Sequence, residues 1–220
     1  MNHSLHSETL QRIQTALEAA RNVLSRFTAG AIEAEYKIGH DPVTEADRQV
    51  DGLLRENLLR NGEGWLSEES VDDTSRLTRS RVWVVDPLDG TREFVAGIPE
   101  FCVSIAMVED GRPVAGGICN PATNEIFLGS LETGVAYKLA LVSAGLADAT
   151  FTLTPKNEWD VAAGAALVQS AGGFVRTLNG FQVRCNNKSP LLPGLLACGP
   201  LLRDELVTLV NSVPASARRS

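Results

Sequence analysis

The sequence predicts an α/β fold built in layers, and three observations carry that prediction. Two amphipathic helical segments lead the chain. From residue 82 the texture turns to β, and two apolar runs joined by an Asp-Gly turn read as a hairpin over 101–118. Beyond it, short strands alternate with a helix rich in small residues. The first half, 1–137, is therefore expected to be an antiparallel sheet with the leading helices flanking it, and 138–220 a smaller α/β half.

Each element has a local reason. Leu10, Ile13, Leu17, Ala20, Leu24 and Phe27 recur every three or four residues, the spacing of one helix face. "KIGHDP" reads as a turn. In "DPVTEADRQVDGLLRENLLR", Thr44 and Asp47 have the spacing of a helix start, and Val50, Leu53, Leu54 and Leu58 line one face. "RNGEGWLSEES" is a loop with a short strand. Val82, Trp83, Val84 and Val85 read as a buried strand that breaks at Asp86-Pro87. "FCVSIAMV" and "PVAGGICN" flank "EDGR" as hairpin partners. "IFLGS" and "GVAYK" give further strands, residues 138–145 a helix ending near Gly145, and "ATFTL" another strand. "WDVAAGAALVQSAGG" is a helix closed by Gly172 and Gly173. Strands at 174–176 and 195–198 precede a last helix near 203–212.

Composition narrows the function classes. The chain has 220 residues, 44% of them hydrophobic, and no apolar run of the roughly 18 residues a membrane span needs. "MNHSLHSETL" lacks the basic and apolar parts of a signal peptide. Net charge is −7, without a Lys/Arg cluster interleaved with aromatics, so polymeric nucleic acid is not an expected partner. A small phosphate ester still fits, because a bound metal reverses the local sign. Cys102, Cys119, Cys185 and Cys198 are far apart and read as buried free thiols of a cytoplasmic protein. His3, His6 and His40 form no zinc-binding pattern.

The acidic residues each have an ordinary reading when taken alone. Asp86 and Asp89 sit in turn-forming Asp-Pro and Asp-Gly pairs. Glu68 and Glu69 are a loop pair of the usually solvated kind. Asp160 complements a helix dipole, and Asp47 caps a helix. Taken together they are a set of hard oxygen ligands with no histidine beside them, which suits Mg²⁺. Two such ions activate a water and hold the leaving oxygen of a phosphate ester, while Gly90 and Thr91 present backbone N–H groups to the phosphate.

Four ordered segments, "DPVTEAD" (41–47), "SEES" (67–70), "DPLDGTREF" (86–94) and "NEWDVAAG" (157–164), resemble the inositol monophosphatase superfamily of Mg²⁺-dependent, often lithium-sensitive phosphatases. The resemblance implies two or three Mg²⁺ ions held by Glu68, Asp86, the Leu88 carbonyl, Asp89 and Asp160, with Asp86 bridging. It implies that Asp89, Gly90 and Thr91 meet the substrate, and that Thr91, with Glu68 and Asp47, orients and deprotonates the attacking water. "DPLDGTREF", and Leu153 where the inositol enzymes carry an acidic residue, resemble the 3'(2'),5'-bisphosphate nucleotidase branch. That implies hydrolysis of adenosine 3',5'-bisphosphate. Inositol-1-monophosphatase, a broad sugar-phosphate phosphatase and a non-catalytic truncated homologue stand as alternatives. The expected partner is a small phosphorylated substrate, with no membrane, and a homodimer fits the family.

One departure stands out. After "GVAYK" the family continues for several dozen residues, whereas here "VSAGLADATF" follows almost at once after Lys138. The second sheet is therefore expected to be short of strands, leaving an exposed edge or a more open pocket.

Overall fold

The opening periodicity becomes α1 (Asn2–Leu24), whose Ile13, Leu17 and Ala20 are fully buried. A two-stranded ribbon, β1 (Glu35–Tyr36) with β2 (Pro42–Val43), leads into α2 (Glu45–Leu58). The start of α2 is the capping box its sequence predicts: the Thr44 hydroxyl accepts from the Ala46 N–H, and Asp47 Oδ2 accepts from the Thr44 N–H at 2.7 Å. This computed structural model describes residues 2–36, 42–130 and 148–212; "GVAYK" and the helix expected over 138–145 lie outside them.

A five-stranded sheet runs in the order β3 (Gly64–Ser67), β4 (Arg81–Asp89), β5 (Cys102–Glu109), β6 (Arg112–Asn120) and β7 (Glu125–Ser130). Four of the strands are antiparallel neighbours, as expected, but β3 joins β4 in parallel. The connection between them passes through a 3₁₀ turn at Ser75–Thr78, long enough for the crossover that a parallel pair needs.

Alternation along β4 explains its unbroken apolar run. Trp83 and Val85 join the core formed with α1 and α2, whereas Val82 and Val84 join the core on the opposite face. That second face is covered by α4 (Glu158–Ser170) from the later half of the chain. Both leading helices thus share one face, and the two halves of the chain share one core. Gly116 and Gly117 make this possible. A Cβ on Gly116 would lie 2.8 Å from Ala163 Cα, and one on Gly117 would lie 2.5 Å from Ile13 Cγ2, so helices approach β6 from both sides.

Strand β4 does not end at Asp86-Pro87. It continues to Asp89 through a bulge: Asp86 pairs with Ser104 and Asp89 with Cys102, so three steps on one strand face two on the other. Pro87 cannot donate to a ladder, and a bulge is where a strand tolerates it. The short helix α3 (Thr91–Ala96) follows at once.

The later half holds β8 (Ala149–Thr152), β9 (Lys156–Asn157), β10 (Phe174–Thr177), β11 (Leu191–Leu192), β12 (Leu195–Cys198) and α5 (Arg203–Ser212). Among the described residues its sheet has three strands, β10-β12-β8, and β9 and β11 form a ribbon leading into α4. Among the described residues β8 lies at the edge of this sheet, with Phe151 45% exposed. All four cysteines are free and buried. No helix among the described residues is long and apolar enough to cross a membrane.

Candidate active site

Three elements deliver carboxylates to one place. Glu68 follows the end of β3, Asp86 sits at the bulge of β4, and Asp160 is the third residue of α4. One oxygen from each lies within 4.8 Å of the other two. Asp160 is also the partner of Asn157 in a capping box, Oδ2 accepting from the Asn157 N–H at 3.0 Å, which fixes its direction. Asp89 lies outside this trio, on the exposed edge of the bulge, yet it is the charge that acts most strongly on both Asp86 and Asp160.

Burial and mutual repulsion load the cluster. Asp86 is 2% exposed; its burial, then the charges of Asp89, Glu68 and Asp160, hold its pKa well above the ordinary carboxylate value, against one N–H from Leu88. Asp160 is pushed up to about 6 by burial and by Asp89, with Lys156 and the Asn157 N–H opposing and Glu68 adding to the rise. Buried like charges of this kind call for a cation. The donors are hard oxygens. The one soft group close by, the Cys102 thiol, donates to Asp89 Oδ2 at 3.8 Å and stays protonated because burial, Asp89 and Asp86 raise its pKa. That chemistry fits a hard divalent ion.

Beside the carboxylates stands a hydroxyl. Thr91 Oγ1 lies 3.0 Å from Asp47 Oδ1 and 2.9 Å from the Leu88 carbonyl. Asp47 is 1% exposed, and its other oxygen accepts from the Thr44 N–H at 2.7 Å and the Thr44 hydroxyl at 2.5 Å. Gly90 has φ +87, and a Cβ there would lie 2.7 Å from the Glu100 carbonyl, so the turn carrying Thr91 requires glycine on two counts.

Two supports escaped the sequence reading. Asp51, one turn after Asp47 on α2, accepts from the Ser67 and Ser70 hydroxyls at 2.6 Å each and so grips the loop on both sides of Glu68. Its four-residue spacing from Asp47 was the available signal. Ser104, the cross-strand partner of Asp86, donates to the Trp159 carbonyl at 3.3 Å and ties the sheet to the start of α4. A separate cavity of about 490 Å³, lined by Arg21, Phe27, Phe94 and Phe101 among others, has no carboxylate in its wall.

The profile of the inositol monophosphatase family matches residues 5–137 and 133–214. The chain belongs to the inositol monophosphatase family. The inositol-1-monophosphatase of Mesorhizobium japonicum is 30% identical over 264 residues, covering 94% of this chain and 96% of its own. The 3'-phosphoadenosine 5'-phosphate phosphatase of Mycobacterium bovis is 32% identical over 241 residues, covering 86% of this chain and 89% of its own. The crystal structure of the extragenic suppressor protein SuhB from Bartonella henselae, 26% identical, superposes with a TM-score of 0.79 over 94% of this chain and all of that one. The family's members are phosphatases, and so is this protein. An alignment of 264 positions exceeds the 220 residues available, so the Mesorhizobium japonicum relative carries residues with no counterpart here. The family profile matches in two pieces that meet at 133–137, next to the discontinuity expected after Lys138.

The sign of the pH response of the metal-free fold follows from the two raised aspartates. Below their ordinary value of 3.8 both are neutral in the folded and unfolded chain alike. Above it the unfolded chain loses their protons first, so the folded form binds more protons and loses stability as pH rises. For Asp160 that window runs from 3.8 to about 6, and Asp86, also held well above its ordinary value, acts in the same direction. Carboxylates held low, such as Asp72 through its hydrogen bond to Arg76, give the opposite slope but only at more acid pH. EDTA-stripped protein is therefore expected to melt at a higher temperature at pH 5.5 than at pH 7.5. From Asp160 alone the difference is on the order of 1 kcal/mol. Saturating Mg²⁺ should reverse the order, because the metal binds the deprotonated carboxylates. Thermal melts at the two pH values, with and without Mg²⁺, check it.

Proposed function

We propose that this phosphatase is a Mg²⁺-dependent phosphomonoesterase whose best substrate is adenosine 3',5'-bisphosphate. The observation that carries the chemistry is the meeting of Glu68, Asp86 and Asp160 within 4.8 Å, close to the Asp47–Thr91 pair. Glu68, Asp86, Asp89, Asp160 and the Leu88 carbonyl would hold the ions. Bound Mg²⁺ would supply Lewis acidity toward the phosphoryl oxygens and acidify water.

The remaining work belongs to the chain itself. The one proton on Thr91 Oγ1 points to Asp47 Oδ1 or the Leu88 carbonyl, and either choice leaves the oxygen lone pairs for a hydrogen of the attacking water. As the water attacks phosphorus, its proton passes to Thr91 Oγ1 while the hydroxyl proton moves toward Asp47; the P–O ester bond breaks on the opposite side, and the departing alcohol oxygen takes a proton from solvent water. Gly90 and Thr91 offer backbone N–H groups at the start of α3 to the phosphate, with Asp89 at the exposed edge beside the substrate. The 1–137 half would supply most of this machinery and the 138–220 half Asp160.

Substrate choice rests on less. "REF" after the Gly90-Thr91 turn and the Mycobacterium bovis relative favour the bisphosphate nucleotide. Leu153, which packs against the apolar cluster of Leu196, Cys198 and Leu206, stands where the inositol enzymes carry an acidic residue and supports the same reading. The Mesorhizobium japonicum relative favours inositol 1-phosphate as the second reading. The short span between Lys138 and Ala149, where the family continues for several dozen residues, supports a pocket that holds phosphate firmly and the rest of the substrate weakly.

Steady-state phosphate release from adenosine 3',5'-bisphosphate, inositol 1-phosphate and an aryl phosphate tests both layers. The expected result is hydrolysis only with Mg²⁺, inhibition by Ca²⁺ or Li⁺, and a high KM. The nucleotide should lead in kcat/KM by no more than about a hundredfold, the scale that a few pocket contacts provide. No metal-dependent release from any of the three would overturn the phosphatase chemistry. A low KM for inositol 1-phosphate alone would overturn the nucleotide assignment.

A further inference from the structure

Away from the carboxylate trio lies a second polar cluster that the chemistry above does not use. Glu158, the first residue of α4, has no exposed surface, yet it pairs with no metal-site residue. Its carboxylate accepts from the Asn186 N–H at 2.6 Å, the Asn187 N–H at 2.9 Å and Asn187 Nδ2 at 2.7 Å. The same asparagines meet Arg76, which is also fully buried. Arg76 Nη1 donates to Asn186 Oδ1 at 2.7 Å and Nη2 to the Asn187 carbonyl at 3.0 Å, while Asn186 Nδ2 donates back to the Arg76 carbonyl at 3.1 Å. Asp72 completes the cluster, accepting from Arg76 Nε at 3.1 Å and Nη2 at 2.8 Å.

The place of this cluster in the chain gives it meaning. Arg76 lies in the 3₁₀ turn that packs on the start of β3, where a Cβ on Gly64 would lie 3.0 Å from Arg76 Cα. The other end of β3 leads to Glu68. Glu158 is two residues before Asp160, about 200° around the helix, so the two side chains leave α4 on opposite sides. Asp160 turns to the other carboxylates, and Glu158 turns to the 186–187 strap. One end of the cluster is thus fastened to the strand that leads to Glu68, and the other to the helix that carries Asp160. The trio repels itself, and an unsupported α4 would relieve that repulsion by withdrawing Asp160.

We propose that Glu158 is a positioning residue for the metal site: through Asn186, Asn187 and Arg76 it holds Asp160 against Glu68 and Asp86 before any cation arrives. This rests on the metal-dependent reading above. Replacing outer partners of metal ligands costs about 10- to 100-fold in metal affinity, and the same scale applies here.

The test uses the full chain, stripped with EDTA and titrated calorimetrically with Mg²⁺. Glu158→Gln keeps the shape but turns an N–H donor toward backbone N–H groups, and its Mg²⁺ dissociation constant should rise about tenfold or more. At saturating Mg²⁺, KM for the aryl phosphate should move less than about twofold, because Glu158 is fully buried and its carboxylate is taken up by Asn186 and Asn187. Asn187→Ala removes one of the donors and should give a smaller rise in the same direction; it decides the matter if Glu158→Gln does not fold. A Mg²⁺ dissociation constant within about twofold of the parent in the folded variants, with only the melting temperature lowered, would make the cluster merely structural and overturn the proposal. That result would leave the phosphatase reading untouched. Conversely, a parent chain that binds Mg²⁺ but hydrolyses nothing would overturn the phosphatase reading, and the comparison of dissociation constants would still decide this one.

Discussion

Asp86→Asn is expected to abolish Mg²⁺-dependent phosphate release, by about 10³-fold or more, and at the same time to raise the melting temperature of the metal-free protein. The loss follows from its proposed role: Asp86 is 2% exposed and shares the 4.8 Å cluster with both Glu68 and Asp160, so it would be the ligand shared by ions held from either side. Removing one preorganised electrostatic group from a catalytic site already costs about 10² to 10³ in rate, and a bridging ligand serves both ions. The stability gain follows from the same burial. Asparagine retains an oxygen for the Leu88 N–H, which Asp86 Oδ1 accepts at 3.1 Å, but adds no charge to the repulsion from Asp89, Glu68 and Asp160. Mg²⁺ should then stabilise the variant far less than the parent. Paired melts and rate assays read both effects. A variant that keeps its activity, or that melts lower without metal, would remove Asp86 from the bridging role.

This pairing of opposite effects describes how the fold is used. The bulge at Pro87 places Asp86 and Asp89 on a strand that is otherwise apolar core, and the α4 N-terminus brings in Asp160 across the sheet. The core supplies rigidity, and the site spends part of that stability on carboxylates that repel until a cation joins them.

Much of this was legible in the sequence, and the exceptions share a cause. The Thr44–Asp47 capping box, the 110–111 turn and the last helix depend on neighbours in sequence, and short-range spacing reveals them. The turn at Gly90 and Thr91 was legible for the same reason. The nearness of Glu68 to Asp160 spans 92 positions, so residue type could group them as hard ligands but only the family resemblance assigned each a place in one site. The parallel entry of β3 was not legible, because an apolar strand carries no mark of its partner's direction. Pro87 read as a break because a proline within a central strand normally is one; the bulge that accommodates it depends on β5. Asp51 and Glu158 carry no mark of their roles in the sequence, because those roles depend on Ser67 and Ser70 in one case and Asn186 and Asn187 in the other.

Thr91→Ala is expected to lower kcat by about 10² to 10⁴, the range for loss of a positioned proton-transfer group, while the Mg²⁺ dissociation constant changes little. Thr91 Oγ1 is engaged by Asp47 Oδ1 and the Leu88 carbonyl, so its hydroxyl is expected to serve the water rather than the cation. Its oxygen stands 3.0 Å from Asp47, and Asp47 is fixed from behind by the Thr44 N–H and hydroxyl. That arrangement orients a hydroxyl without moving a backbone, and alanine deletes the hydroxyl alone. Thr91→Ser should restore most of the rate, because it keeps Oγ and loses a methyl, whereas Thr91→Val should match alanine despite its nearly native shape. Asp47→Asn should fall between, since an amide still offers one oxygen to the hydroxyl but accepts no proton from it. Single-turnover rates at saturating Mg²⁺, together with calorimetric Mg²⁺ binding for the same variants, separate the two quantities. If Thr91→Ala weakened Mg²⁺ binding in proportion to its loss of rate, Thr91 would be serving the metal rather than the water.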